Sequence, residues 1–185
     1  MQVLKFGGTS VANAENIRRV KEIIQLKKGE KTVVIVSALG GVTDELLKCG
    51  SLAAGGDGSY KEHLQKLNER HLNVVKELLP LTNQSSVLSL VMQQFNEVED
   101  ICNGIFLLND FSERTKDRIL SYGELISSKI ISSYLASNGL QNKWVDARNL
   151  IQTDSQYTRA VVQFEKTQQN IQSFFSDATD ELFVV

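Results

Sequence analysis

The sequence has few of the residues that build disulfide-stapled or metal-held folds. It contains two cysteines, two histidines and one proline in 185 residues. Cys49 and Cys102 are far apart in the chain, which favours two buried, reduced thiols over a disulfide framework. His63 and His71 are eight residues apart, so they lack the i, i+4 spacing that directs two imidazoles to one metal ion. We therefore predict no metal site built from protein ligands alone.

A strong charge of one sign and a long apolar run are also missing. The 20 basic and 22 acidic side chains leave a formal net charge of −2, so no basic field attracts nucleic acid or an anionic membrane. No apolar run approaches the ~20 residues that cross a bilayer. The first residues begin a strand-like segment and not a charged leader followed by an apolar stretch. We expect a cytoplasmic protein with neither nucleic acid nor membrane as a partner.

The start of the chain has the pattern of a parallel βαβ unit. Residues 3–6 predict a short strand, and the helical spacing of residues 17–24 predicts a helix capped by Asn13 or Asn16. Residues 32–37 form a β-branched run typical of a strand buried on both faces. A strand, a helix and a strand in this order predict parallel neighbours with a right-handed crossover. The fold class is therefore α/β.

The middle of the chain predicts an antiparallel helical hairpin over residues 60–109. The first helix covers residues 60–79 and ends at Pro80, the only proline. The second has apolar residues in alternating steps of three and four, which is typical of a coiled-coil-like seam. These seam residues are Leu88, Val91, Phe95, Val98, Cys102 and Ile105. We interpret the hairpin as a structural insertion without chemistry of its own.

The remaining elements complete the α/β pattern. A helix is expected from near Thr43, followed by a glycine-rich, mobile loop over residues 50–59. Further along, we predict helices at residues 123–135 and 164–175, and strands at residues 143–146 and 182–185. Because α/β folds place function after the carboxyl ends of their strands, a chain that stops at a buried strand is expected to be truncated.

Two glycine pairs follow the first two predicted strands. Gly7-Gly8 and Gly40-Gly41 let backbone amides approach an anion, and parallel topology puts both pairs at the same sheet edge. Lys5 precedes the first pair, while Thr9 and Ser10 add hydroxyl donors, so this edge can hold a phosphate. Glycine pairs also close many tight turns, and a strand-end lysine can simply be exposed. Neither the P-loop nor the dinucleotide-binding fingerprint is present.

One segment at the start of the chain reads Lys5-Phe-Gly-Gly-Thr-Ser-Val11. It resembles the opening motif of aspartate kinases, which are members of the amino acid kinase superfamily. Three later segments resemble further family elements in the family order, and the matches extend from residue 1 to about residue 158. These are Val36-Ser-Ala38 with Gly41-Val-Thr43, Gly123-Glu124 at the start of a helix, and Trp144-Val-Asp-Ala-Arg148. Tyr122 departs from the pattern, because some members have a basic residue before Gly-Glu.

The resemblance implies a role for each matched residue. Lys5 would stabilise the phosphoryl group during transfer, and the amides of Gly7 and Gly8, with the hydroxyls of Thr9 and Ser10, would bind phosphate. Ser37 and Thr43 would hold L-aspartate, and Glu124 would bind its ammonium group. Thr43 could instead be an ordinary helix N-cap. Glu124 could instead favour the dipole of a helix that begins beside it.

The resemblance also implies the activity and the domain organisation. The family transfers the γ-phosphoryl group of ATP to the side-chain carboxylate of L-aspartate, with Mg²⁺ held through the phosphates. This is the first step of lysine, threonine and methionine biosynthesis. The expected fold is a three-layer αβα sandwich with a mainly parallel sheet, similar to carbamate kinase. Residues 1–185 would be the aspartate-binding N-terminal lobe, and this lobe alone is not expected to turn over.

Further domains are expected beyond the chain, and other interpretations stay open. The nucleotide-binding lobe, the regulatory ACT domains and any dehydrogenase would follow residue 185. The segments Val11-Ala-Asn-Ala-Glu15 and Gly104-Ile-Phe-Leu-Leu108 are most similar to bifunctional aspartokinase/homoserine dehydrogenases. The whole protein is expected to be a homo-oligomer. The alternatives are a glutamate or acetylglutamate kinase, or a non-catalytic interaction module built on the helical hairpin.

Overall fold

A parallel β-sheet organises the fold of the computed structural model, which describes residues 1–27 and 29–185. Four strands are present in these residues, in the order β1-β2-β4-β3. They are β1 (Gln2–Phe6), β2 (Thr32–Val36), β3 (Lys143–Trp144) and β4 (Leu182–Val184). All neighbouring pairs are parallel. The predicted parallel βαβ unit is confirmed.

Helices cover both faces of the sheet, as the three-layer prediction requires. Helix α1 (Ala14–Gln25) begins at Asn13, whose side chain accepts a hydrogen bond from the Asn16 amide, so Asn13 is the N-cap. Helices α1 and α5 (Glu113–Ser137) share one apolar cluster with Val34 and Val184. Helix α6 (Phe164–Asp177) packs on the other face, where the rings of Phe174 and Phe175 lie 5.9 and 5.1 Å from Phe183.

Part of the sheet face on which α6 packs stays exposed, near the edge strand β1. Val3 is 58% exposed and Ile35 is 36% exposed, although the other residues of β2 are buried. The prediction that β2 is buried on both faces is therefore wrong at Ile35. The reason is position: β1 is the edge strand beside β2, and α6 covers the face around Phe183 and Val33 instead.

The helical hairpin is confirmed and packs into the same core. Helices α3 (Tyr60–Leu78) and α4 (Leu81–Leu108) are joined by Leu79 and Pro80, and Pro80 is the N-cap of α4. Val91, Phe95, Val98, Cys102 and Ile105 of the predicted seam are buried, and Leu88 is half-buried. Helix α2 (Val42–Ala54) and helix α5 pack against this hairpin. The four helices therefore extend one side of the core.

Two helix boundaries differ from prediction. The expected loop over residues 50–59 is shorter, because α2 continues to Ala54 and Gly50 lies inside it, against the Phe111 ring. Helix α5 begins at Glu113 and not at residue 123, since Ser112 caps it by accepting a hydrogen bond from the Thr115 amide. In addition, the strand predicted at residues 143–146 is two residues long, because the chain turns at Asp146 into a short 3-10 turn.

Both cysteines are free and buried, as predicted. Burial raises the pKa of the Cys49 thiol to about 11 and that of the Cys102 thiol to about 12. Both thiols are therefore neutral near pH 7, and we expect them to react slowly with thiol reagents. None of the described helices is long and apolar enough to span a membrane.

Candidate active site

The first glycine loop leaves β1 and turns at once into a short 3-10 helix over Gly8–Val11. The Ser10 amide donates a hydrogen bond to the Gly7 carbonyl at 2.9 Å, which closes the turn. The Asn16 side-chain amide donates to the Thr9 carbonyl at 2.7 Å and ties the loop to α1. Val11 is buried, while the side chains of Thr9 and Ser10 are exposed. The loop is therefore anchored at its base and open where a ligand would bind.

The second glycine loop connects β2 to α2. Gly41 has φ of +79°, a left-handed conformation that glycine adopts without steric cost, and it is the N-cap of α2. Thr43 lies exposed in the first turn of that helix. The alternative that Thr43 is simply the N-cap residue is therefore wrong. The Ser37 amide donates to the Phe6 carbonyl at 3.2 Å, so Ser37 begins its loop beside the end of β1.

The two glycine loops lie side by side at the carboxyl ends of β1 and β2, as the parallel topology predicts. A Cβ atom placed on Gly8 would lie 3.3 Å from the Ala38 carbonyl oxygen. A Cβ atom placed on Gly40 would lie 3.2 Å from the Gly8 carbonyl oxygen. This close backbone approach needs residues without side chains. The glycine pairs therefore bring two sets of backbone amides to one sheet edge.

Lys5 lies at this edge on the exposed sheet face. It is opposite Ile35 in the β1-β2 register, and it shares a face with Val3 because side chains alternate along a strand. Its side chain is exposed, and within residues 1–27 and 29–185 its ammonium group forms no ion pair or hydrogen bond. The cation is therefore available to an anionic ligand.

Helix α5 packs its middle against the second glycine loop. A Cβ atom on Gly123 would lie 2.9 Å from the Cβ of Ala38, so the contact requires glycine. The Ser127 hydroxyl donates to the Ser37 carbonyl at 2.8 Å. Glu124 is exposed and follows Gly123 directly, so it lies one residue from the contact with Ala38. Ser37 and Ala38 of the second glycine loop thus contact the turn of α5 that contains Glu124.

Glu124 does not lie at a helix start. Helix α5 begins at Glu113, so Glu124 is about three turns inside it. The macrodipole acts within the first and last turns of a helix. The alternative that Glu124 merely favours a nearby helix N-terminus is therefore wrong.

A cavity of about 220 Å³ opens beside Glu124, between α5 and the ends of β3 and β4. Trp144, Asp146, Arg148 and Val185 also line it. The Arg148 guanidinium donates to both carboxylate oxygens of Asp146, from Nε to Oδ1 at 2.9 Å and from Nη2 to Oδ2 at 2.6 Å. This hydrogen bonding lowers the pKa of Asp146 and raises that of Arg148. The cavity is therefore lined by the ion-paired Asp146 and Arg148 and by the Glu124 carboxylate, which can accept hydrogen bonds from a cationic group.

Sequence reasoning assigned no role to Asp146 and Arg148. Both residues belong to a segment that resembles a strand and turn of the family. Nothing in the sequence indicated that this segment lies beside Glu124. The available signal was the Asp-x-Arg spacing directly after a strand, because a bidentate pair there exposes a fixed guanidinium. In the described part of the chain, no group of three or more His, Cys, Asp or Glu residues is arranged to hold a metal ion.

Comparison with known proteins decides the family. The model of the amino acid kinase family matches residues 1–183, which is nearly the whole chain.

The chain belongs to the amino acid kinase family.

Several members of the amino acid kinase family are similar to this chain. An aspartokinase of Chlamydia trachomatis is 40% identical over 159 residues, covering 86% of this chain and 33% of the relative. The bifunctional aspartokinase/homoserine dehydrogenase 2, chloroplastic, of Arabidopsis thaliana is 30% identical over 175 residues, covering 94% of this chain and 19% of the relative. The chain therefore spans about a third or less of the length of these curated relatives.

A solved structure of the same family shows the same fold. The crystal structure of E. coli aspartokinase III in complex with aspartate and ADP superimposes with a TM-score of 0.86 at 22% sequence identity. The match covers 99% of this chain and 40% of that one. The α/β architecture with a parallel sheet and a long helical insertion is thus an amino acid kinase architecture.

Proposed function

We propose that the protein to which this chain belongs is an aspartate kinase, which converts ATP and L-aspartate to ADP and 4-phospho-L-aspartate. The observation that carries the proposal is the packing of Gly123 on Ala38 and of Ser127 on Ser37, because it sets the turn of α5 that contains Glu124 against the second glycine loop. An amino-acid site and a phosphate site then lie at one sheet edge, as phosphoryl transfer to an amino acid requires. Residues 1–185 would form the aspartate-binding lobe of this enzyme.

The amino acid would bind between Glu124 and the second glycine loop. The Glu124 carboxylate would accept hydrogen bonds from the substrate ammonium, and the hydroxyls of Ser37 and Thr43 would donate to a substrate carboxylate. Arg148 lines the cavity beside Glu124 and has N–H groups beyond those that bind Asp146. It would attract the second carboxylate. Glu124 would thus face the one positive charge of L-aspartate, and Arg148 and the two hydroxyls would face its two negative charges.

The phosphate groups of ATP would bind at the first glycine loop. The amides of Gly7 and Gly8 and the hydroxyls of Thr9 and Ser10 would donate hydrogen bonds to phosphate oxygens. The side-chain carboxylate of aspartate would attack the γ-phosphorus in line, and the bond to the ADP oxygen would break. The Lys5 ammonium would stabilise the negative charge on the transferring group. Mg²⁺ would be held through the phosphates and would neutralise part of their charge.

Three wider properties belong to the same proposal. The enzyme would act in the biosynthesis of lysine, threonine and methionine. It would be a homo-oligomer located in the cytoplasm. The aspartokinase names of the relatives support the reaction class, and they do not distinguish a monofunctional enzyme from a bifunctional one.

The acceptor preference of the full-length protein tests the proposal. ADP release is measured by a coupled assay with ATP and Mg²⁺ and with L-aspartate, L-glutamate or N-acetyl-L-glutamate as the acceptor. We expect release that depends on L-aspartate. Release that depends instead on glutamate or acetylglutamate would identify a different amino acid kinase, and no release with any acceptor would support a non-catalytic module.

A further inference from the structure

We propose that Arg70, in the first helix of the hairpin, positions the first glycine loop. The hairpin would then contribute to the geometry of the active site. The Arg70 guanidinium donates from Nη2 to the Ala12 carbonyl at 2.9 Å, and the bond is partly buried. It joins residues 58 positions apart in the chain. The catalytic part of this inference rests on the proposed function, whereas the loop contact stands independently of it.

Ala12 is a junction of three elements. It follows the 3-10 turn of the first glycine loop as its C-cap and immediately precedes Asn13, the N-cap of α1. A Cβ atom placed on Gly40 would lie 3.2 Å from the Ala12 Cβ, so Ala12 also touches the second glycine loop. A shift of the Ala12 backbone would therefore move both glycine loops and the start of α1.

The hydrogen bonds of the loop show why Arg70 is needed there. The 3-10 turn is held internally by the bond from Ser10 to Gly7 and externally by the bond from Asn16 to the Thr9 carbonyl. Both bonds have their acceptors, Gly7 and Thr9, before Ala12. Arg70 supplies the third anchor, at the end of the turn and from a different layer of the fold. Removing it would leave the end of the turn held only by the burial of Val11 and by its connection to α1.

Geometry, and not ion pairing, explains the choice of arginine at this position. Within the part of the chain that the structure describes, the Arg70 guanidinium forms no salt bridge, and its hydrogen-bond partner is a backbone carbonyl. A planar guanidinium fixes the direction of its N–H groups, while a lysine ammonium rotates freely. We therefore expect lysine to restore only part of the effect.

Arg18 provides a matched control. Its guanidinium also donates to a backbone carbonyl, that of Glu77 at 2.7 Å, and this bond joins α1 to α3. That bond lies at the far end of α3 from the loop contact and touches neither glycine loop. Loss of Arg18 removes the same kind of arginine-to-carbonyl bond involving α3 without releasing the first glycine loop.

The experiment compares Arg70→Met, Arg70→Lys and Arg18→Met in the full-length protein. Hydrogen exchange of the peptide containing residues 7–12 reports the loop, and steady-state kinetics report turnover. We expect Arg70→Met to speed exchange of this peptide and to lower kcat by about ten- to a hundredfold, because small misplacements of positioning groups have effects of this size. Arg70→Lys should lie between wild type and Arg70→Met, and Arg18→Met should resemble wild type.

The two readouts separate the possible failures. Equal exchange and equal kcat in Arg70→Met and Arg18→Met would overturn the inference, and so would a fall in kcat without faster loop exchange. If Arg70→Met does not fold, Arg70→Lys is compared with Arg18→Met by the same criteria. If wild type shows no aspartate-dependent turnover, the proposed function fails, and the exchange data alone decide whether Arg70 holds the loop.

Discussion

Lys5 is an exposed cation at the end of β1, next to the first glycine loop. It shares its sheet face with Val3, which is itself mostly exposed, so little packing depends on it. A charge in this position contributes little to the stability of the fold and can contact a phosphate group. Single residues of this kind allow function to be tested apart from stability.

Changing Lys5 to Ala should lower kcat of the full-length enzyme by at least ~100-fold. The physical reason is the loss of ~3 kcal/mol of charge stabilisation in the transition state. The midpoint of urea unfolding should hardly change, because the side chain is exposed. Lys48→Ala, on the exposed side of α2, is the control and should retain activity. A Lys5→Ala enzyme with near-normal kcat would contradict the assignment.

His71 is fully buried in the hairpin and gives the fold a pH dependence of its own. Its Nδ1 lies 2.7 Å from the Leu67 carbonyl, and its ring lies 5.1 Å from that of Phe95. Burial lowers the pKa of His71 from 6.5 to about 4. Because the unfolded state binds a proton at higher pH than the folded state, stability is full above pH 6.5 and falls as the pH drops toward 4.

The free energy of unfolding should therefore fall by about 2 kcal/mol between pH 7 and pH 5 through this residue, at about 1.4 kcal/mol per pH unit below 6.5. Urea unfolding at both pH values measures it. His71→Phe should reduce this pH dependence, although it is expected to be less stable at pH 7 as well. His63→Asn changes the other, more accessible histidine and should keep most of the dependence. Equal pH dependence in wild type and His71→Phe would contradict the burial effect.

At the scale of elements, helix α5 is where the sequence was most misleading. The Gly-Glu resemblance suggested a helix start at residue 123, whereas the helix begins ten residues earlier, at Glu113, where Ser112 caps it. Gly50 was likewise predicted to begin a loop, since glycine usually interrupts a helix, but it lies inside α2. Both glycines stay inside helices because a neighbour, Ala38 or Phe111, occupies the space of the missing side chain. Such tertiary contacts leave no local pattern.

Gly123→Ala tests the contact between α5 and the second glycine loop. The new methyl would lie 2.9 Å from the Ala38 Cβ, so we expect a loss of ~1–3 kcal/mol of stability from overpacking, even though alanine favours a helix. Ala38→Gly in the same chain removes the clashing methyl and should restore much of the loss. Thermal unfolding of the two single variants and the double variant measures this coupling. Additive effects in the double variant would contradict a direct contact.

At the scale of the whole molecule, the secondary structure could be predicted from the sequence. The places where distant segments of the chain meet could be predicted only in part. The βαβ unit followed from a β-branched run and helical spacing, and the hairpin followed from its apolar seam. The meeting of the glycine loops followed from parallel topology. The cavity of Glu124 with Arg148, and the bond from Arg70 to Ala12, could not be predicted, because each joins segments through side-chain geometry that no spacing encodes.

If the amino acid binds beside Glu124 and the phosphates bind beside Lys5, as proposed, the KM values of the two substrates should respond differently to one substitution. Glu124→Gln removes a charge-assisted hydrogen bond worth ~1.5–3 kcal/mol in a partly desolvated cleft. Glu22→Gln, at an exposed position of α1, is the control.

The decisive measurement is the pair of KM values, for L-aspartate and for ATP, in the full-length Glu124→Gln enzyme. We predict that KM for L-aspartate rises by about ten- to a hundredfold, since a neutral amide holds the ammonium group poorly. KM for ATP should stay near the wild-type value, because the proposed contact of Glu124 is with the amino acid and not with the phosphates. An unchanged KM for L-aspartate, or equal changes in both KM values, would contradict the placement of the aspartate site.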